Sequence, residues 1–168
     1  MSASFSNIIS YFKKIATEHI QIGHSVDEKH FYRFEIEEVL TGLKKINYPA
    51  LILEGYKYSF EDGKSDNIIK KRSGAFMLID HLKDIGDYDA MHEVWDRQEE
   101  ICDDILARIK HDKFNPATKA VRDFDISSAA VVLIANEQDK NYGIRCTFTI
   151  SSPPVSYTHL TLPTNREV

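Results

Sequence analysis

The sequence predicts an α+β fold, a largely antiparallel four-stranded sheet packed with about three helices in the order α-α-β-β-α-β-β. Three segments carry apolar residues at helical spacing. Four others alternate or run apolar between turn residues, as strands do. The strands come in two sequence-adjacent pairs, which pair antiparallel with helices laid on the sheet.

Residues 4–20 place Phe5, Ile8, Ile9, Phe12, Ile15 and Ala16 on one helical stripe, with Lys13, Lys14 and Glu18 outside it. Gly23 ends the segment, and Ser25 to Glu28 reads as a loop. A second helix is expected over about 33–46, burying Ile36, Val39, Leu40, Leu43 and Ile46. Asn47-Tyr48-Pro49 stops it, because proline disfavours helical geometry in the residue before it.

Residues 50–60 read as a strand that starts apolar on both faces at Leu51-Ile52-Leu53 and ends in the alternating run Tyr56-Lys57-Tyr58-Ser59-Phe60. Glu61-Asp62-Gly63-Lys64 supplies a turn, and the chain returns over about 67–82. Gly74 inside that strand predicts a bulge or a close backbone approach. The helix over about 88–111 buries Met91, Val94, Trp95, Ile101, Cys102, Ile105, Leu106 and Ile109. Asp87 is its N-cap, with Asp89 and Glu93 near the positive end and Arg108, Lys110 and His111 near the negative end. Strands over about 122–136 and 141–151 follow. Ala129 to Ile134 reads as covered on both faces, whereas Arg145, Thr147 and Thr149 leave one face of the last strand wet or facing a partner.

The reading divides the chain into a single α+β domain over residues 1–153 and a tail over 154–168. From Pro154 to Thr164 no helix or strand period is present, and back-translation accommodates the mosaic end of a transposase library kit followed by its adapter. A barcode over Asn165, Arg166 and Glu167 then places the adapter's stop codon after Val168. The tail is therefore expected to be adapter-derived and is set aside from fold reasoning. Removing its Arg166 and Glu167 leaves the net charge of −5 unchanged.

A chain 42% hydrophobic and 28% charged has a globular rather than a disordered composition. The start, Met1 to Phe5, lacks the regions of a signal peptide, and no apolar run approaches a membrane span. Cys102 and Cys146 fall on apolar faces, which fits core packing in a reduced, intracellular setting. The acidic balance, with only short basic groups such as Lys70-Lys71-Arg72, disfavours direct nucleic-acid binding.

No readable catalytic site emerges, and the reading assigns no catalytic, cofactor or metal residues. His19, His24 and His30 with Asp27 fit no standard zinc spacing and read as loop and helix-end histidines. Asp84, Asp87 and Asp89 lack the downstream glutamate of a calcium loop. Asp80-His81 and Asp103-Asp104 need a second group within reach before they can work as an acid–base pair. Tyr56, Tyr58, Phe60, Asp62, Gly63, Arg145, Thr147 and Thr149 remain as interface candidates.

Several segments resemble proteins of Bacteroidetes phages and prophages. They are Lys29-His30-Phe31-Tyr32-Arg33 through Glu38-Val39-Leu40-Thr41-Gly42-Leu43; Tyr48-Pro49-Ala50-Leu51 with Glu54-Gly55-Tyr56; Arg72-Ser73-Gly74-Ala75-Phe76; and Asn141-Tyr142-Gly143-Ile144-Arg145. The element order is similar to that of tail terminator (tail completion) proteins. The resemblance implies a non-enzymatic virion subunit without cofactor, assembled in the bacterial cytoplasm. Its partners would be copies of itself in a ring, with tail tube and neck proteins contacted through Glu61–Asn67 and Lys113–Val121. The alternative is a small-molecule binder or enzyme with a pocket between the third helix and the sheet, approached by Asp80, His81 and helix carboxylates. An antitoxin-like or immunity-like binding protein is a third option that the acidic balance permits.

Overall fold

Ser4 opens the first helix. Its backbone is extended and its Oγ accepts from the Asn7 N–H at 3.2 Å, so α1 runs Phe5–Glu18 and buries Ile8, Tyr11, Phe12, Ile15 and Ala16. Beyond it the N–H groups of Ile22 and Gly23 both return to the His19 carbonyl, at 3.1 and 2.9 Å. Gly23 has φ +63°, a conformation that costs glycine little and other residues more. The computed structural model describes residues 4–34, 46–62 and 68–152.

The second described helix, α2, spans Tyr88–Asp112. The Asp87 carboxylate accepts from the Ala90 N–H at 2.9 Å, with Asp89 in the first turn and Lys110 and His111 in the last. Capping and dipole complementarity thus stand where the sequence places them.

Among the described residues six strands form one sheet: β1 (Phe31–Phe34), β2 (Ala50–Glu54), β3 (Lys57–Asp62), β4 (Ile68–His81), β5 (Phe124–Asn136) and β6 (Asn141–Ser152). The order is β1-β2-β4-β6-β5, and β3 pairs with β4 beyond the end of β2. Only β1 and β2 run parallel; every other pair is antiparallel.

The α+β class and the mostly antiparallel sheet hold, but the element count changes. The expected strand over 50–60 is two strands. Leu53 pairs with Phe76 and Lys57 with Ser73, so Glu54, Gly55 and Tyr56 stand opposite only Gly74 and Ala75. The extra residue is a bulge that separates β2 from β3. Gly74 itself provides the close approach, since a Cβ there would lie 3.3 Å from the Tyr56 Cβ and 3.2 Å from the Phe148 ring. The sixth strand is β1, which takes Arg33 and Phe34 from the start of the expected helix over 33–46. These aromatic-rich residues register against Leu51 to Glu54, and that pairing overrides a helical period read from residues further on. Residues 35–45 of that helix, Gly63 of the turn and the tail from 154 lie outside the described residues.

Both helices lie on one side of the sheet. Phe12 stacks on Phe148 at 5.7 Å and tilts against Phe76 at 5.6 Å. Ile101, Cys102, Ile105 and Ile109 of α2 meet Leu78, Ile144 and Cys146 in the same core. Each large apolar side chain buried there stabilises the fold by about 1.5–3 kcal/mol. On the opposite side Ala50, Ile52 and Ile79 form a smaller cluster with Tyr32, Ile46, Tyr48 and Met77. Leu51-Ile52-Leu53 is therefore apolar on both faces because both faces are packed.

A polar clamp joins the helices. The Tyr11 hydroxyl donates to Asp112 at 3.0 Å, and Arg108 donates to Asp112 at 2.7 Å while reaching Glu18 at 3.2 Å. Burial, then the Asp112 charge, pushes the Tyr11 phenol far up, so it stays the donor. Burial alone would raise the Asp112 carboxyl, but hydrogen bonds from Arg108, His111 and Tyr11 together hold it below the usual carboxylate range. Its contribution is therefore present above the ordinary carboxylate pKa and lost as pH falls through the depressed folded value. Tyr11→Phe should cost about 1.5–3 kcal/mol, the worth of a hydrogen bond to a charged group. Urea denaturation at neutral pH measures it. An Asp112→Asn chain should in turn differ from the original less and less as the pH falls below 4, the ordinary carboxylate value being 3.8. A gap that widened on acidification would contradict the clamp.

Candidate functional site

The sheet ends in two open edges. On one side lies β5, the outer strand. Its run Ala129 to Ile134 is not covered on both faces as expected. Val131, Val132 and Leu133 are 43%, 56% and 52% exposed. From Ile126 to Ala135 no residue is charged and none is proline, although edge strands are ordinarily blunted by charge, proline or a bulge. Here a bulge interrupts pairing only at one end. Ile126, Ser127, Ser128 and Ala129 stand opposite Phe148 alone, and Ser128 Oγ accepts the Thr149 N–H at 2.8 Å in place of a backbone carbonyl. Among the described residues no strand pairs with the outer side of β5 from Ala130 to Asn136, where Trp95 Nε1 donates to the Ile134 carbonyl at 3.2 Å.

On the other side the outer strands are β1, beside β2, and β3, which pairs with β4 beyond the end of β2. All six residues of β3 are exposed, Tyr58 and Phe60 by 58% and 56%. Register against Arg72 and Lys70 puts both rings on the helix side of the sheet, edge to face at 5.9 Å. Lys70 Nζ stands 4.0 Å over the Tyr58 ring. Tyr56 differs: it is half-buried, against Phe5 at 5.3 Å.

The remaining interface candidates fall on the opposite face. Arg145, Thr147 and Thr149 alternate along β6 there, half-buried, and Arg145 binds Glu54 through two hydrogen bonds at 2.6 and 2.8 Å. The described candidates thus divide between two faces rather than forming one patch, with Asp62 at the end of β3 and Gly63 outside the described residues. In the segment 113–121, Phe114 is exposed while Ala120 and Val121 are buried, and Lys113 Nζ holds the Phe124 carbonyl at 2.9 Å.

The ionisable candidates are dispersed. Asp80 pairs with Arg97, and His81 stacks on Tyr48 at 5.5 Å. Asp104 reaches His19 Nε2 at 3.3 Å in a hollow of about 510 Å³ between the end of α1 and α2. His30 bonds the Pro49 carbonyl at 2.9 Å, and Asp84 accepts from the Gly86 N–H at 3.0 Å. Among the described residues no three His, Cys, Asp or Glu side chains gather closely enough to hold a metal ion. The space between α2 and the sheet, where the alternative reading needs its pocket, is filled by Ile101, Cys102, Ile105 and Ile109. Cys102 and Cys146 are free and buried, and hydrogen bonding to Cys146 together with burial pushes the Cys102 thiol up. No described helix is long and apolar enough to cross a membrane.

No protein-family model matches the chain, and no match to a curated protein or a solved structure was found.

Proposed function

We propose that this chain is a structural subunit that works by assembly, each copy adding its β5 edge to the sheet of the next. The specific form we favour is a ring that terminates a phage tail tube or joins it to the neck. The phage setting rests on the resemblance of the segments quoted above. The single observation that supports assembly is the uncharged, exposed apolar edge of β5.

Strand sense favours a head-to-tail contact. Because β5 is antiparallel to β6, β6 to β4 and β4 to β3, β5 and β3 run in opposite directions. A second copy continuing the sheet would therefore bring its β3 antiparallel against β5. Val131 and Leu133 register with Cys146 and Ile144, so they share the helix side with Tyr58 and Phe60. One contact would cover both exposed apolar pairs, and repeated contacts of this kind form a ring when the rotation between neighbours closes. A two-fold β5–β5 contact would leave Tyr58 and Phe60 in water.

If Tyr58 faces Leu133 and Phe60 faces Val131, Ser59 stands opposite Val132. Mixing a Ser59→Cys chain with a Val132→Cys chain under mild oxidation should give a disulfide between copies that neither variant forms alone. Self-linking of Val132→Cys would replace the ring by a two-fold dimer. A stable monomer at every concentration, with no linked product, would dismiss assembly altogether.

A further inference from the structure

A hollow of about 620 Å³ lies where α1 faces β1 and the loop before it, and its polar wall consists of Lys13, Thr17, His24, Ser25, Lys29 and Arg33. The other three described hollows each include at least one carboxylate, from Glu18 and Asp104, Glu54, or Asp112. This one has none. Lys13, Lys29 and Arg33 make no ion pair among the described residues, whereas Arg97, Arg108 and Arg145 all do. Lys13, Lys29 and Arg33 thus line one hollow in a chain whose net charge is −5, with Lys29 Nζ 4.8 Å from the centroid of the Tyr32 ring.

The neutral groups are set as donors as well. His24 Nδ1 accepts the His30 N–H at 3.2 Å, so the neutral ring carries its proton on Nε2. Burial, then the charge of Lys13 and more weakly those of His30 and Lys29, pushes the His24 imidazolium below its ordinary range, which keeps the ring neutral. Ser25 Oγ accepts from the Glu28 N–H at 2.9 Å, leaving its hydroxyl proton to give. Ile9, Val26 and Phe31 supply an apolar side to the same hollow.

We infer that this hollow binds a small phosphate-bearing molecule, its phosphate held by Lys13, Lys29 and Arg33 and its remainder lying against Ile9 and Val26. A planar guanidinium and two ammonium groups suit tetrahedral oxyanions, and the volume is that of a small-ligand site. The acidic remainder of the chain repels a long polyanion, which favours a small molecule over nucleic acid. This site is independent of the sheet edges and of any assembly through them.

The test is calorimetric titration of the full chain at low ionic strength with pyrophosphate, citrate and a single-stranded oligonucleotide. Pyrophosphate should bind saturably at one site. Lys13→Glu and Arg33→Glu should each weaken it at least tenfold with an unchanged circular dichroism spectrum, while Lys110→Glu, an equal charge change elsewhere, should leave it intact. Should either charge reversal unfold the chain, Lys29→Gln takes its place. Absence of saturable binding, equal loss in Lys110→Glu, or preference for citrate or the oligonucleotide would overturn the inference.

Discussion

Gly143→Ala is expected to prevent the sheet from forming in its present register. A Cβ at this position would lie 1.9 Å from the Leu78 carbonyl oxygen and 2.9 Å from its carbon, both backbone atoms of the adjoining strand. No rotamer change relieves a contact with main chain. Gly143 also pairs with Ile79 on one side and Ile134 on the other, so any retreat of β6 disturbs two ladders at once. A loss on the order of 4 kcal/mol or more follows, above the ~1–3 kcal/mol typical of overpacking, because the clash is with main chain. Thermal unfolding followed by circular dichroism measures it. A variant melting within a few degrees of the original would show that the close approach is absent. Gly74→Ala serves as the comparison, because its nearest contacts, the Phe148 ring at 3.2 Å and the Tyr56 Cβ at 3.3 Å, need a shift of only a few tenths of an ångström.

The second large effect concerns association. Val132→Lys places a charge in the middle of the uncharged β5 edge at a residue already more than half exposed. Folding stability should change by less than about 0.5 kcal/mol, as for most surface substitutions. Assembly should collapse, since strand addition would now desolvate an ammonium group without a partner. Native mass spectrometry of the two chains at equal concentration checks this, with Val132→Thr expected to stay assembled. If Val132→Lys assembles as fully as the original, β5 is not the contact.

The helices were largely legible because each carries its own signals. Ser4 and Asp87 mark the starts, and the stripes through Phe12 and through Ile105 mark the buried sides. Pairing partners are not written locally. The run Ala129 to Ile134 has the composition of a strand covered on both faces, yet which member of the last hairpin becomes central depends on β4 choosing β6. The apolar run went to the edge and the alternating one to the middle. For the same reason β1 escaped notice, its four residues being a strand only because Leu51 to Glu54 lie beside them. Gln98 shows the limit of a stripe read from apolar residues alone. It is wholly buried on α2, and neither atom of its amide has a hydrogen-bond partner among the described residues. Among the interface candidates, the exposure of Tyr58 and Phe60 follows from β3 lying past the end of β2, a consequence of the bulge opposite Gly74, where the sequence marks an irregularity without showing that it splits the strand. The cationic hollow draws on α1, the following loop and β1, and only tertiary packing brings those three together.

The twelve-residue ladder between β4 and β6 has a kinetic meaning. The β3–β4 and β5–β6 pairs are each close in sequence and can form early, but neither buries its helix-facing side alone. Joining them means aligning Phe76 with Cys146 across a stretch that contains all of α2. Loop closure of that length is costly before the new contacts compensate for it, so the rate-limiting search in folding should be the docking of two preformed hairpins. Until they dock, the edges of β4 and β6 that meet in this ladder are open in addition to that of β5, which makes the moment of synthesis the time of greatest risk from wrong pairing.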